Sequence, residues 1–475
     1  MSPSYTRSLR RAVTFAVIGV AAAGFQTYAN AQPLVTVESG TLAGLSTESA
    51  VVFKGIPYAA PPVGALRWRP PRPPAAWSGV RPAKTLGAAC LQDTGPFFRL
   101  GIEIGPTSEN CLFLNVWAPK QAHHTPVMVW IYGGGHRYGA ASEPVYDGAA
   151  FARDGVILVS FNYRLAGLGY FAHPALTQEV GPDQPLGNYG LMDEVAALQW
   201  VHRNIKAFGG DARNVTIFGE SSSALDVQDL MSIPATRDLF QNAIVESSCS
   251  WNRNPETQAT LAMREADGVK LAAMAGLRGS EVTPAQLRAL PATDFLDPGF
   301  KFDFEPFIDD RLMRQSSSRA FGRGDIRPIR LIVGSNSDES ALYTPSQLAQ
   351  IMGPLPRDLS ALYPSGGKAD SALRMIFTDM AGAACRWVAT QNARRAPTYL
   401  YRFSYVLEAA RSRTAGAPHG AELPFVFDSW DRSEPAMLRV LVGSQAAPSR
   451  ADLAMTAHVH GCWVTFAKTG EPDCP

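Results

Sequence analysis

The sequence predicts an α/β fold: a central, mostly parallel sheet with helices on both faces and an antiparallel hairpin near the N terminus. Two observations predict it. Short runs rich in β-branched residues recur and are separated by helical patterns, the way strand–helix–strand units read along a chain. These runs are also apolar on both alternating faces, which suits strands covered from both sides.

In chain order, Leu34–Val37 and Val51–Phe53 flank a Gly-marked turn and read as the hairpin at the sheet edge. The Pro-rich stretch from Pro57 to Pro74 is predicted to be extended or irregular, because proline fixes φ and removes a donor. Leu91 to Asn110 shows neither a helical nor a strand period, and Cys90 and Cys111 bracket it, so a staple would serve it well. The clearest strand candidates are Val127–Tyr132, Val156–Ser160, Val215–Phe218, Ala243–Val245 and Ile329–Val333. Between the second and third of these, Leu191, Val195, Leu198, Val201, Ile205 and Phe208 recur at steps of three and four, an apolar stripe on a long helix that Gly209-Gly210 ends.

The 475 residues are 46% hydrophobic and 18% charged, a globular composition with enough apolar side chain for a sizeable core. No linker supports a split, so residues 32–475 are expected to form one domain. Residues 1–31 read as a secretory leader: Arg7, Arg10 and Arg11 precede the uncharged apolar run Ala12–Phe25, and Ala29-Asn30-Ala31 offers small residues before a cut. The competing reading, a membrane anchor, needs about 20 apolar residues. The expectation is an exported protein, periplasmic or secreted, with no membrane anchor. Loss of three arginines and no acidic residue takes the formal charge from +1 to −2, leaving no basic footprint for nucleic acid. Six cysteines in an exported chain are free to pair, and the 15 connectivities open to them are not separated by spacing. Neither a CxxC spacing nor a His/Cys cluster points to zinc, and no cofactor is expected.

The chemistry is concentrated around one serine. The strand ending at Phe218 runs into Gly219-Glu220-Ser221-Ser222-Ser223, after which Ala224–Met231 reads as a helix. A serine on a sharp strand-to-helix turn exposes its hydroxyl near a helix N terminus. Such turns ask for glycine two residues before and two after, and here Ser223 fills the second place. Read alone, the segment is equally a helix N-cap with spare hydroxyls.

The surrounding blocks carry a resemblance. Phe53-Lys54-Gly55-Ile56-Pro57-Tyr58-Ala59, Ser108-Glu109-Asn110-Cys111-Leu112-Phe113-Leu114-Asn115-Val116, Tyr132-Gly133-Gly134-Gly135, Phe161-Asn162-Tyr163-Arg164, Phe208-Gly209-Gly210-Asp211, Gly334-Ser335-Asn336-Ser337-Asp338-Glu339 and Pro418-His419-Gly420-Ala421-Glu422 occur in one order. Together, from about Val35 to Pro475, they resemble the type-B carboxylesterases, which include para-nitrobenzyl esterases, fungal lipases and cholinesterases. The resemblance implies an α/β-hydrolase fold and a serine carboxylic-ester hydrolase acting on a small-molecule ester. It implies Ser221 as nucleophile, His419 as base and Glu339 as the acid behind it, in the Ser…Asp/Glu…His order of that fold. Serine needs such partners: an adjacent base to take its proton, and a carboxylate to hold the imidazole and stabilise its charged form. Spacing does not separate Asp338 from Glu339; the choice rests on the resemblance. His123, His124 and His173 have no equivalent block and are expected at the surface.

Gly133-Gly134-Gly135 follows a buried strand, and the resemblance assigns the amides of Gly134, Gly135 and Ser222 to an oxyanion hole, each donor contributing ~2.7–4 kcal/mol of transition-state stabilisation. It also pairs Cys90 with Cys111, in a loop that in cholinesterases carries a tryptophan for quaternary ammonium groups. This chain has Phe97 and Phe98 there, which argues against choline esters. After the glycines the family usually has an aromatic residue; His136-Arg137 here reads as a cationic pair for a carboxylate-bearing ester, or as an arginine facing solvent. Ser340 stands where the family commonly has glycine, and the chain ends soon after Phe466-Ala467-Lys468-Thr469-Gly470, where relatives usually continue, so a shortened C terminus is expected. Two rivals stand beside the esterase reading. One is a non-catalytic binding protein, which Ser223 and Ser340 keep open; the other is a serine peptidase, which would normally need an additional domain.

Overall fold

Strand order places the catalytic candidates. The computed structural model describes residues 1, 32–93, 104–181, 184–250, 258–278, 281–296, 301–353, 359, 362–363, 369–433 and 435–474. In chain order its strands are β1 (Leu34–Val37), β2 (Gly40–Ala43), β3 (Leu45–Ser46), β4 (Ala50–Pro57), β5 (Val80–Pro82), β6 (Ala89–Cys90) and β7 (Thr107–Ser108). They continue as β8 (Phe113–Pro119), β9 (Thr125–Ile131), β10 (Ile157–Phe161), β11 (Gly210–Glu220), β12 (Asn242–Glu246), β13 (Arg330–Asn336) and β14 (Thr398–Phe403). The main sheet runs β14-β13-β12-β11-β9-β10-β8-β4-β3. From β14 to β10 every neighbouring pair is parallel, whereas β10–β8, β8–β4 and β4–β3 are antiparallel.

All five predicted strands lie in the parallel part. Apart from Arg330 at the start of β13, their side chains are buried on both faces because helices cover both. The helix Ser222–Ser232 packs on β11 and β12, Ala369–Ala393 on β13 and β14, and Arg450–Thr469 on β9 and β11. Trp130 of β9 and Phe218 of β11 meet at 4.8 Å between ring centroids, and Phe427 stacks on Phe218, so aromatic packing fixes the centre of the sheet. The predicted apolar stripe is buried throughout; the helix Tyr189–Asn204 carries its first four residues, and Ile205–Phe208 tightens into a 3₁₀ turn. The Pro-rich stretch begins on Pro57, the last residue of β4, and is otherwise irregular apart from one 3₁₀ turn at Gly64–Leu66.

The hairpin partner differs from the expectation. Leu34–Val37 pairs antiparallel with Gly40–Ala43, Val37 facing Gly40 across the two-residue turn Glu38-Ser39, and β5 completes a small separate sheet. Val51 and Val52 pair instead with β3 and β8 in the main sheet. A two-residue connection closes with far less chain than the loop the longer pairing would need.

Cys90 and Cys111 are disulfide-bonded, as expected, beside the short parallel pair β6–β7. Phe97 and Phe98, within the same covalent loop, lie outside the described residues. The four cysteines whose pairing spacing left open form Cys249–Cys385 and Cys462–Cys474. Among the described residues, no helix is long and apolar enough to cross a membrane.

Candidate active site

Parallel register brings three strand ends to one level: Gly219 of β11 faces Ile131 of β9, and Glu220 faces Glu246 of β12. Side chains beyond these ends share the crevice at the carboxyl edge of the sheet, where open α/β sheets bind ligands. Ser221 is the first residue past β11, at φ 60° and ψ −127°, and Ser222 starts the next helix. A backbone held there costs about 1–3 kcal/mol and persists because its surroundings over-determine it. The Ser221 amide donates to the Glu246 carbonyl at 3.0 Å, and the Ala224 amide donates to the Ser221 carbonyl at 3.0 Å.

The serine in place of the second glycine is fully buried. Its hydroxyl shares one proton between the Ile131 carbonyl at 2.7 Å and the Glu220 carbonyl at 2.8 Å. A Cβ on Gly219 would lie 2.8 Å from this oxygen, so the first glycine is required by the packing of Ser223 itself.

His419 lies on the loop after β14 and is brought close by a bridge between Asp338 and Pro418. Its Nε2 is 2.9 Å from Ser221 Oγ, and its Nδ1 is 2.5 Å from Glu339 Oε2. Glu339 is buried and also accepts from the Asn336 amide at 2.6 Å through its other oxygen. This contact fixes the tautomer in which Nδ1 carries the proton and Nε2 accepts from the serine. Asp338, the acid that spacing could not separate from Glu339, instead accepts from Ser340 at 2.7 Å. Ser340 thus occupies the position after the acid by hydrogen-bonding its neighbour.

Two further carboxylates surround the imidazole, and sequence spacing gave no sign of their convergence. Glu220 Oε1 is 3.1 Å from His419 Nε2. Glu422 accepts from Ser247 at 3.1 Å and from the Asn336 side chain. Burial pushes the Glu220 carboxyl up to about 8 against the pull of His419, and burial with the nearby Glu339 charge pushes Glu422 up to about 7. Burial works against a charged His419, but the charges of Glu220 and Glu339 outweigh it and raise its pKa well above the ordinary imidazole value. Glu246, behind them, accepts from Trp463 at 3.1 Å and is likewise raised by burial and by Glu422.

Gly133 packs against the elbow so closely that a Cβ there would sit 2.6 Å from the Glu220 carbonyl. Gly134 takes φ 113°, and a Cβ on it would meet the Tyr138 carbonyl at 2.4 Å. His136 follows the three glycines, and its amide donates to Ser222 Oγ at 3.3 Å. The loop and the helix start that carry Gly134, Gly135 and Ser222 are therefore neighbours.

His136 and Arg137 are both buried, rather than forming a pair open to ligand. His136 Nε2 is 2.9 Å from both oxygens of Asp226, while Arg137 donates to the Phe302 carbonyl and lies over the Phe304 ring. His173, expected at the surface, is also buried, because its ring caps the helix Pro174–Val180 by accepting from the Ala175 amide at 3.1 Å. His123 and His124 are exposed, as expected.

A cavity opens over Ser221 and His419. Its polar lining includes Gln92, Glu143 and Glu220, and its apolar wall includes Ile104, Tyr138, Tyr146, Leu342, Leu423, Met437, Val440 and Leu441. A mostly apolar pocket with a few converging polar groups is the usual form of a small-molecule site.

A mixed sheet wrapped by helices, with a serine at the end of a central parallel strand, defines the α/β-hydrolase class. The chain belongs to the carboxylesterase family, whose model matches residues 31–360 and 364–475. It is 36% identical to the fumonisin B1 esterase of Sphingopyxis macrogoltabida over 92% of this chain and 82% of that protein. It is 33% identical to the para-nitrobenzyl esterase of Bacillus subtilis over 93% of this chain and 90% of that one. A para-nitrobenzyl esterase structure superposes with a TM-score of 0.78 at 31% identity, covering 93% of this chain and 92% of its own. The protein is a carboxylic ester hydrolase.

Proposed function

We propose that hydrolysis proceeds through an acyl-enzyme on Ser221. Ser221 Oγ attacks the ester carbonyl while His419 Nε2 takes its proton, and Glu339 holds the imidazole and stabilises the imidazolium. The amides of Gly134, Gly135 and Ser222 receive the developing oxyanion. His419 returns its proton to the leaving alcohol. Water then attacks the acyl carbon with His419 again as base, releasing the acid and restoring Ser221. The observation that carries this reading is the unbroken contact from Glu339 through His419 to Ser221 at the floor of the cavity.

The cavity wall favours esters whose acyl and alcohol parts are apolar. A carboxylate-bearing ester takes second place, since His136 and Arg137 are engaged with Asp226 and Phe302 and neither is among the residues that line the cavity. The three disulfides support export of the protein to an oxidising compartment, with residues 1–31 as its leader.

Labelling with a fluorophosphonate, followed by peptide mass spectrometry, tests the mechanism. The label is expected on Ser221, with activity falling in step with its incorporation. Full incorporation elsewhere, or activity that survives complete labelling of Ser221, would contradict it.

A further inference from the structure

The proposed oxyanion hole is made from two separate elements. Gly134 and Gly135 sit on the loop after β9, and Ser222 begins the helix Ser222–Ser232. Three consecutive glycines make that loop costly to order, so its position relative to the helix has to be imposed from outside. His136 and Asp226 span the same two elements: His136 directly follows Gly135, and Asp226 lies one helical turn beyond Ser222.

Their contact is built deep in the protein. His136 is 2% exposed and Asp226 is 0% exposed, and Nε2 lies 2.9 Å from each carboxylate oxygen. The imidazole stands edge-on to Tyr170 at 5.2 Å between centroids. The His136 carbonyl accepts from the Ala166 amide at 2.7 Å, so the residue is held by backbone as well as side chain. Behind Asp226 lies the buried Glu194 on the helix Tyr189–Asn204, whose carboxyl is pushed well up by burial and by the nearby Asp226 charge.

We propose that His136 and Asp226 form a positioning clasp, which sets the Gly134 and Gly135 amides at a fixed distance from the Ser222 amide. This inference rests on the oxyanion hole proposed above. His136 does not touch the reacting atoms; it acts through the amides that precede it. Because the oxyanion forms only as the carbonyl is attacked, loosening the clasp weakens binding of the transition state more than that of the ester. Displacements of about 1 Å in such sites cost on the order of 100-fold in rate.

The test compares His136→Phe, which fills the space without a donor to Asp226, with His136→Gln, which retains an N–H donor. Both are measured beside Ser221→Ala for hydrolysis of para-nitrophenyl butyrate, with unfolding followed in parallel. His136→Phe is expected to lower kcat by about 10–100-fold with KM within about twofold, and His136→Gln to recover most of that loss. A His136→Phe enzyme with wild-type kcat, a loss confined to KM, or a His136→Gln enzyme as impaired as the phenylalanine variant would overturn the clasp. Should His136→Phe fail to fold, Asp226→Leu and Asp226→Asn carry the same comparison, the asparagine retaining an acceptor for His136. A Ser221→Ala enzyme that kept its activity would instead overturn the underlying mechanism, whatever His136 did.

Discussion

Glu220 Oε1 lies 3.1 Å from His419 Nε2, the nitrogen that also faces Ser221 Oγ at 2.9 Å. The residue before the proposed nucleophile is therefore placed to regulate the charge of the proposed base. With Glu339 on the other nitrogen, it favours the imidazolium and raises the pKa of His419. Only the neutral imidazole can accept the serine proton, so under the proposed mechanism activity is expected to rise with pH as His419 deprotonates. Glu220→Gln removes the carboxyl whose ionised form stabilises the imidazolium. The acidic limb of the kcat/KM profile is expected to move to lower pH, and an unmoved or higher limb would contradict this account.

Behind that pair, Glu246 connects the site to stability. Its pKa in the folded protein is raised above the ordinary 4.5 by burial and by Glu422, so the fold favours its neutral form. This contribution is fully present below about pH 4.5 and is lost as pH rises through the folded value. Glu246→Gln retains an acceptor for Trp463 without a titrating group. The difference in Tm between about pH 5 and about pH 9 is expected to narrow in this variant. A gap as wide as that of the wild type would assign the pH dependence elsewhere.

Gly134 and Gly135 both have positive φ, at 113° and 64°, but their surroundings differ. A Cβ on Gly134 meets the Tyr138 carbonyl at 2.4 Å, whereas one on Gly135 meets nothing within 4 Å. Gly135→Ala is expected to cost about 1–2 kcal/mol, the left-handed penalty alone. Gly134→Ala adds a backbone collision and is expected to cost more, with a lower kcat as the loop shifts. Denaturant titration of both variants checks the order; equal losses would contradict it.

Ser223 gives the opposite result from what its sequence pattern implies. Restoring the glycine that this turn usually carries removes a buried hydroxyl that bonds the Ile131 and Glu220 carbonyls. Ser223→Gly is expected to lower stability by about 1–2 kcal/mol, measured by chemical denaturation. A more stable glycine variant would show that the serine strains the elbow.

The parallel strands were legible because burial from both sides writes uninterrupted apolar runs, as in Val127–Ile131. Edge strands were not: β14 alternates Tyr399, Tyr401 and Phe403 with exposed Leu400 and Arg402, too short a pattern to stand out. Ser221, Glu339 and His419 could be named because whole blocks around them match a family. Residues that converge only in three dimensions left no such trace. Glu422 lies 202 positions from Glu220, and Cys249 lies 136 from Cys385, separations that spacing cannot connect. His136 beside Arg137 reads as part of a cationic pair facing a ligand until its buried partner, Asp226, is seen.

The central claim is nucleophilic catalysis by Ser221. Its most direct test is hydrolysis of para-nitrophenyl acetate and butyrate by the purified protein beside Ser221→Ala, with both shown to be folded by circular dichroism. The account predicts ready turnover by the wild type and a loss in kcat of about 10⁶-fold in the variant. A folded variant that turned over at the wild-type rate would contradict it and place the chemistry on another residue.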